Sequence, residues 1–514
     1  MNKLAQYLNQ HLIGEVTTDP VVLKRHGMDG SPLDYAPQMV TFARSVSDIR
    51  KLLRFTWQLA EKGHQLPLTV RGSGTSVSGG ALGTGVVVSV KEYLGSILEF
   101  DPKQHLVRLQ PGATVGSLQS SLGLYGDTIL ALDSTAVDAT VGGWLSEEVS
   151  GRDTVKELEV VLANGDLLHA RRLSKREFSK KKGEQSFEAD LYRGVDMLLE
   201  DHVEAIEKIA SEDALGYGGI LQVKAQDGSF DLTPLFIGSQ GTLGVISEMI
   251  LATQTTSEEE TTLLAAFESL DSARDALDEI DKINPSKVEL IGDAVIERAV
   301  IAGKVPSILS DSTRALLVIA LRDNSLRAQG KKTKRITKIC EQHGAAVTSG
   351  ARESLDIAPV GAMCDVARRA NEGKGEAVVI ANEAYVPLVR AEEFVKTINE
   401  LAKKRSVPLL VTSRPLENRW TVTSQLNLTT VSGKQLVFKL IEDCAKIISD
   451  LGGSLVGNSS EGRMASISAY SRLDPEVVMV FTELKKLFDP YGTLNVGVKQ
   501  PGELKELAKR LNAR

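Results

Sequence analysis

The sequence predicts an α+β protein of two or three domains, on three observations. The chain has 514 residues, and a domain takes about 150. Up to about Thr253 its texture is short β-rich runs and glycine turns, with few helices. Beyond that point strands alternate with amphipathic helices, the pattern of an antiparallel sheet covered by helices.

Taken in order, the start MNKLAQYLNQHLIGEV reads as a helix with Leu4, Leu8 and Leu12 on one face. It lacks the apolar core and cleavage site of a signal peptide. The β-branched runs Leu66–Val70 and Gly85–Val90 read as buried strands around the glycine-rich stretch VRGSGTSVSGG. That stretch is not a dinucleotide turn, because Val77 stands where a third glycine belongs and no helix follows. It is not a P-loop either, lacking Gly-Lys-Ser/Thr. What remains is a strand–loop–strand whose small residues leave backbone N–H groups for an anion, with Ser73, Thr75, Ser76 and Ser78 as hydroxyl donors. Further on, EVVLANGDLLHA is a hairpin turning at Asn164-Gly165, and the basic stretch Leu168–Gln185 reads as a solvated loop. TQTTSEEETT reads as a linker. Then come LLAAFESLDSARDALDEIDKI (strand, helix), ALLVIALR (strand) and AEEFVKTINELAKKRS (helix), which leads into the strand VPLLVT. The last helix stops at Asp489-Pro490.

Composition narrows the function. A hydrophobic fraction of 42% and a charged fraction of 25% are ordinary for a globular protein, and the net charge of −7 disfavours a broad nucleic-acid surface. No apolar run approaches the roughly 20 residues of a membrane span. Cys340, Cys364 and Cys444 show no metal or disulfide spacing. The expectation is a cytoplasmic protein, with peripheral attachment at the inner face of the membrane left open.

Eight segments in order then carry a resemblance: Val70–Ala81, Leu109–Gln119, Ala139–Gly143, Val155–Leu168, Phe236–Leu251, Val288–Asp293, Asn382–Val395 and Phe488–Gly497. Together they resemble the FAD-linked oxidases and dehydrogenases of the vanillyl-alcohol-oxidase (PCMH-type) superfamily, in a divergent form of the D-lactate dehydrogenase and glycolate oxidase large-subunit branch. The resemblance implies a PCMH-type FAD-binding domain of two subdomains over residues 1–254. It also implies an α+β substrate or cap domain with an antiparallel sheet over 255–450, and a C-terminal segment, 451–514, returning to the FAD domain. The implied cofactor is FAD, held without a covalent link. Arg71, Gly72, Ser73, Gly74, Thr75 and Ser76 would wrap its pyrophosphate, with Gly79 also on the cofactor. Pro111, Gly112, Ser134, Thr140, Gly142 and Gly143 would line the flavin side. Ile246 would lie near the adenine and Asn495 toward the isoalloxazine.

The departures bear on catalysis. The family carries its base in an E-H-G-x-G pattern, which here reads NSSEG: Asn458 takes the glutamate position and Ser459 the histidine position. The family's metal-binding H-x-G-D-G-N-x-H segment corresponds to Thr412–Val422, where only Asn418 matches. All seven histidines lie in the first 343 residues, and each reads as a surface or strand histidine. No metal is therefore expected. WLSEEVSGRDT replaces a longer glycine run and places Glu147 and Glu148 near the flavin. Cys364–Gly375 lies where the family has an arginine for the substrate carboxylate, and the resemblance puts Arg368 there as anchor, since a guanidinium fork suits a carboxylate, with Arg414 and Arg419 behind it and Glu461 as a substitute base. The expected function is an FAD-dependent oxidoreductase, oxidising a hydroxy-carboxylic acid at a non-histidine site that includes Arg368, Asn458 and Ser459. Electrons would pass to oxygen, a quinone or a protein, and homo-oligomerisation is open. The alternative is a catalytically degenerate flavin-binding subunit of an oxidoreductase complex.

Overall fold

The β-branched run Val86–Ser89 forms a wholly buried strand, as its composition dictates. It pairs in parallel with Leu68–Arg71 on one side and Met39–Phe42 on the other. Parallel neighbours need a crossover connection. Between Leu68–Arg71 and Val86–Ser89 that crossover is the glycine-rich loop itself, without a helix. Glu15–Thr17 completes a four-stranded sheet by antiparallel pairing with Met39–Phe42.

The structure is a computed structural model and describes residues 3–129, 131–132, 137–209, 214–255, 260–301, 306–323, 325–351 and 375–512. Two compact units emerge. One joins Met1–Gln254 to Asn458–Asn512, and the other is built on Thr255–Gly457.

In the first unit the helix Val46–Glu61 starts at the Ser45 cap and buries Ile49, Leu52 and Leu53 in a core with Met39, Leu68, Val86, Val88 and Leu494. Asp48 inside this helix accepts from the backbone N–H groups of Ile13, Gly14 and Arg44, tying the N-terminal strand to the sheet. A second, antiparallel sheet runs Ile97–Asp101, Leu106–Leu109, Val245–Ala252, Val155–Val161, Leu167–Ala170. Its last pair is the hairpin expected at Asn164-Gly165, with Val161 opposite Leu167. Two sheets in one unit match the two-subdomain reading. The helix Lys3–His11 buries Leu8, and Leu4 packs partly against the same core.

Two expectations fail here. Lys175–Lys182, read as part of a solvated loop, is a helix. Ser174 caps the Glu177 N–H while the Glu177 carboxylate returns to the Ser174 N–H, and this reciprocal pair outweighs the repulsion of the lysines. Lys181 and Lys182 find carboxylates on Glu184, Glu188 and Asp196. His26 is neither a surface nor a strand residue. It ends the helix Pro20–His26, buried, with its Nδ1 on the Val22 carbonyl and its ring edge-on to Phe42. Burial holds its pKa below the ordinary imidazole value.

The second unit is built on one antiparallel sheet of seven described strands, ordered Ala346–Ala351, Thr261–Phe267, Ala315–Leu321, Lys287–Gly292, Leu409–Arg414, Arg419–Leu426, Glu376–Tyr385. Helix Asp293–Ile301 packs Val295, Ile296 and Ala299 onto Leu264, Ile291, Leu316 and Leu410 of that sheet. Among the described residues no helix is long and apolar enough to cross a membrane.

Candidate functional site

The site grows from the crossover loop that follows Arg71. Gly72 to Val77 donate none of their backbone N–H groups to an acceptor among the described residues. Six consecutive polar groups left unspent in partly exposed backbone are a free-energy debt unless water or an anion takes them. The loop is held by its other atoms. The Ser73 hydroxyl donates to the Asp138 carbonyl, and the Ser76 carbonyl accepts from Gly30 N–H at 2.8 Å. Gly74 sits at φ +70°, and a Cβ there would lie 2.0 Å from Nη2 of Arg71. The Arg71 guanidinium is thus tucked under the loop, donating to the Met28 carbonyl at 2.6 Å. Thr75 is exposed, and Gly79 turns the chain at φ +76°.

The residues expected along the flavin side prove to be close-packed backbone. A Cβ on Gly72 would meet Thr140 Oγ1 at 2.0 Å, and one on Gly142 would meet Pro111 Cβ at 2.5 Å. Gly112 N–H donates to the Leu94 carbonyl and Gly142 N–H to the Pro111 carbonyl. Thr140 caps the short helix Val141–Glu147 by accepting from Gly143 N–H. These segments hold the wall of the site, with their own donors committed to it. Ile246 is buried in the strand Val245–Ala252, beside a bulge. Ser134 and Arg368 lie outside the described residues.

Asn495 is the pin. At φ +40° its N–H donates to the Leu68 carbonyl. Its Nδ2 donates to the carbonyls of Gly80 and Gln240, each at 2.7 Å, and its Oδ1 accepts from Thr69 Oγ1 at 3.2 Å. One buried carboxamide therefore ties the strand Leu68–Arg71, the end of the glycine loop and the turn at Gly238–Gly241.

Below the loop lies Glu147, which the sequence singled out without a role. Helix Val141–Glu147 ends with Glu147 facing Ser76, whose hydroxyl donates to its Oε1 at 2.8 Å. The residue keeps some accessible surface, yet its carboxyl is enclosed enough that desolvation pushes its pKa up to about 7. Ser76 and Ser78 hydroxyls and the Lys499 charge pull it back, and Asp29 adds to the rise.

The NSSEG segment runs alongside. Ser459 bridges Glu148, Ser460 N–H donates to the Glu147 carbonyl at 2.8 Å, and Val149 N–H donates to the Asn458 carbonyl. Asn458 is a buried latch, accepting from Ser150 N–H and donating to the Glu148 carboxylate, which also takes the Trp144 indole N–H. Ser459 is buried and carries no titratable group. Glu461 is locked: it pairs with Lys499 at 2.8 Å and accepts from Tyr470 Oη and Gly216 N–H, with both charged side chains fully buried. A carboxylate so engaged does not suit the substitute-base role. In the second unit, Arg414 pairs with Glu383. Asn418 is a left-handed turn residue whose Oδ1 accepts from Leu388 N–H.

The unspent loop fits a diphosphate, since it offers donors and no carboxylate among its six residues. Comparison with known proteins identifies the family and its cofactor. Residues 37–171 match the FAD binding domain family and residues 256–498 the C-terminal domain of FAD linked oxidases. The chain is 25% identical over 478 residues to the glycolate oxidase subunit GlcD of Bacillus subtilis, covering 90% of this chain and 88% of that one. It is 22% identical over 536 residues to the D-2-hydroxyglutarate dehydrogenase of Escherichia coli, covering 98% of this chain and 52% of that one, so it spans about half that relative's length. In fold it is similar to 4-ethylphenol oxidase from Gulosibacter chungangensis, with a TM-score of 0.70 at 13% identity over 98% of this chain and 97% of the other. It is likewise similar to p-cresol methylhydroxylase, with a TM-score of 0.68, 13% identity and the same two coverages.

Proposed function

Because this chain belongs to the FAD-linked oxidases, we propose that its oxidoreductase chemistry is the oxidation of a small 2-hydroxy acid at a site without histidine. FAD, when bound, supplies the hydride acceptor. The observation that carries the placement of the cofactor is the run of six unspent N–H groups from Gly72 to Val77, fixed from below by Arg71 and Ser76. Substrate class follows from relatives named for glycolate and D-2-hydroxyglutarate.

In this reading Arg71 to Ser76 and Gly79 form the pyrophosphate clasp. Pro111, Gly112, Thr140, Gly142 and Gly143 shape the flavin wall. Asn495 holds the clasp in register, Ser134 and Ile246 complete the cofactor site, and Arg368 anchors the substrate carboxylate. Asn458 and Ser459 stand where a base would, and their chemistry limits them to hydrogen bonding. The electron acceptor is oxygen, a quinone or a protein, and a cytoplasmic place with peripheral membrane attachment is consistent with this chemistry. The test is anaerobic addition of glycolate, D-lactate or D-2-hydroxyglutarate to the yellow protein. Bleaching of the flavin absorbance by one of them is expected, and a flavin that none of them bleaches overturns the substrate class.

A second reading has its own observation. Asn458 and Glu461 are wholly engaged in internal bonds, as in a flavin-binding subunit of an oxidoreductase complex that leaves hydroxy-acid chemistry to a partner. A flavin that no hydroxy acid bleaches, but that a reduced partner protein does, would favour it.

A further inference from the structure

The Glu147 carboxyl is one hydroxyl away from the anion-binding backbone. Ser76 donates its Oγ–H to Glu147 at 2.8 Å, while the N–H of the same serine belongs to the unspent run. Ser78 closes the cluster: its N–H donates to Ser76 Oγ, and its own Oγ lies 2.8 Å from that atom. The carboxyl is thus built into the underside of a loop whose upper side is suited to two negative charges.

Charged groups from several elements act on it. Asp29, on the segment after helix Pro20–His26, disfavours ionisation. Lys499, on the C-terminal tail, favours it, but that ammonium is already matched by Glu461 at 2.8 Å. Arg152 opposes the charge of Lys499, and Arg463 faces Asp29. Glu148 follows on the same segment, with its carboxylate held by Trp144 and Asn458. His26, near Arg71, has its pKa pushed below the ordinary imidazole value by burial. The balance leaves Glu147 titrating at about 7 before any ligand is added.

Resting on the reading that the Gly72–Val77 loop clasps the FAD diphosphate, we propose that cofactor loading and protonation of Glu147 are one coupled equilibrium. The loop closes on the diphosphate with Glu147 as the neutral acid. A dianionic ligand beside the carboxyl disfavours its ionised form, so the pKa is higher with FAD than without it. Binding therefore takes up a proton above pH 7, and affinity falls as pH rises, by about tenfold per pH unit at the one-proton limit. From about one pH unit below 7 downward the carboxyl is neutral in both states, and the affinity is level.

The test uses the full chain stripped of FAD. Titration with FAD from pH 6 to 8.5 gives the affinity profile, and calorimetry at pH 7.5 in two buffers of different ionisation enthalpy counts protons. The wild type should lose about tenfold in affinity between pH 7 and 8.5 and take up a substantial fraction of one proton. Glu147→Gln, which keeps the acceptor for Ser76 without the charge, should bind with level affinity and exceed the wild type at pH 8.5. Level wild-type affinity, or an equal slope in Glu147→Gln, overturns the coupling. Should that variant fail to fold, the proton count of the wild type decides alone, and a count of zero overturns it. FAD bound without coupling defeats this inference and leaves the clasp standing, whereas absence of FAD binding defeats both.

Discussion

At the scale of single residues, the polar groups of the first unit divide by whether their bonds are complete. Asn495, Asn458 and Glu461 spend their hydrogen-bonding capacity on the protein, so their work is positional. The Lys499–Glu461 pair, both side chains fully buried, shows what that costs. Two charges removed from water are tolerated only with full compensation, here from Ala214, Ser460, Tyr470 and Gly216. Lys499→Met should destabilise the protein by about 3–5 kcal/mol, because it strands a buried carboxylate. Adding Glu461→Gln to it should recover part of that loss, and urea denaturation of the three proteins would check both. A double variant no more stable than Lys499→Met alone would contradict this account. Glu147 differs from the rest in keeping a proton equilibrium near neutrality, which burial rather than sequence spacing confers. A Glu-Glu pair after a glycine run was legible in the sequence. The serine hydroxyls facing it, 69 and 71 positions earlier in the chain, were not.

At the scale of elements, the crossover loop is where composition speaks most directly. Small residues between two β-branched runs predict a tight, donor-rich loop, and the structure adds the reason for one of them. Gly74 combines a left-handed φ with a guanidinium 2.0 Å from where a Cβ would stand. Gly74→Ala should cost about 1–3 kcal/mol in backbone strain and push Arg71 off the Met28 carbonyl. We expect FAD affinity to fall about tenfold or more with the far-ultraviolet dichroism unchanged, and a variant that binds FAD normally would show that the loop does not need this geometry. The helix Lys175–Lys182 teaches the opposite lesson. Charge density suggested a loop, but the Ser174-x-x-Glu177 capping box was present in the sequence and carried the stronger local signal. The metal-like segment 412–422 proves to be a hairpin, with Asn418 needed for its left-handed turn.

At the scale of the whole molecule, the first unit is discontinuous. Its tail returns after the second unit to place Leu494 in the N-terminal core, with Asn495, Lys499 and Arg463 in the polar network around the loop. Arg463 donates to the Gly79 and Val496 carbonyls and lies over the Tyr35 ring, which Arg510 also covers. A chain ending at Gly457 should therefore lose both flavin and protease resistance, even though the glycine loop remains in it. Flavin content after purification, together with limited proteolysis, measures this. A truncated protein that stays yellow would show that the tail is dispensable.

Four features were legible in the chain alone: the α+β class, the strand–loop–strand around the glycine-rich stretch, the family, and the absence of histidine from the last third of the chain. Each of these is local in the chain: a run of β-branched residues, a spacing of glycines, an order of motifs. Tertiary structure alone decided which polar groups are spent and which remain available. It engaged Glu461 with Lys499 and Asn495 with three distant segments, and it left Glu147 under the loop with its charge unsettled. The physical reason is that hydrogen-bond satisfaction and desolvation depend on neighbours brought from hundreds of residues away, whereas backbone propensity does not.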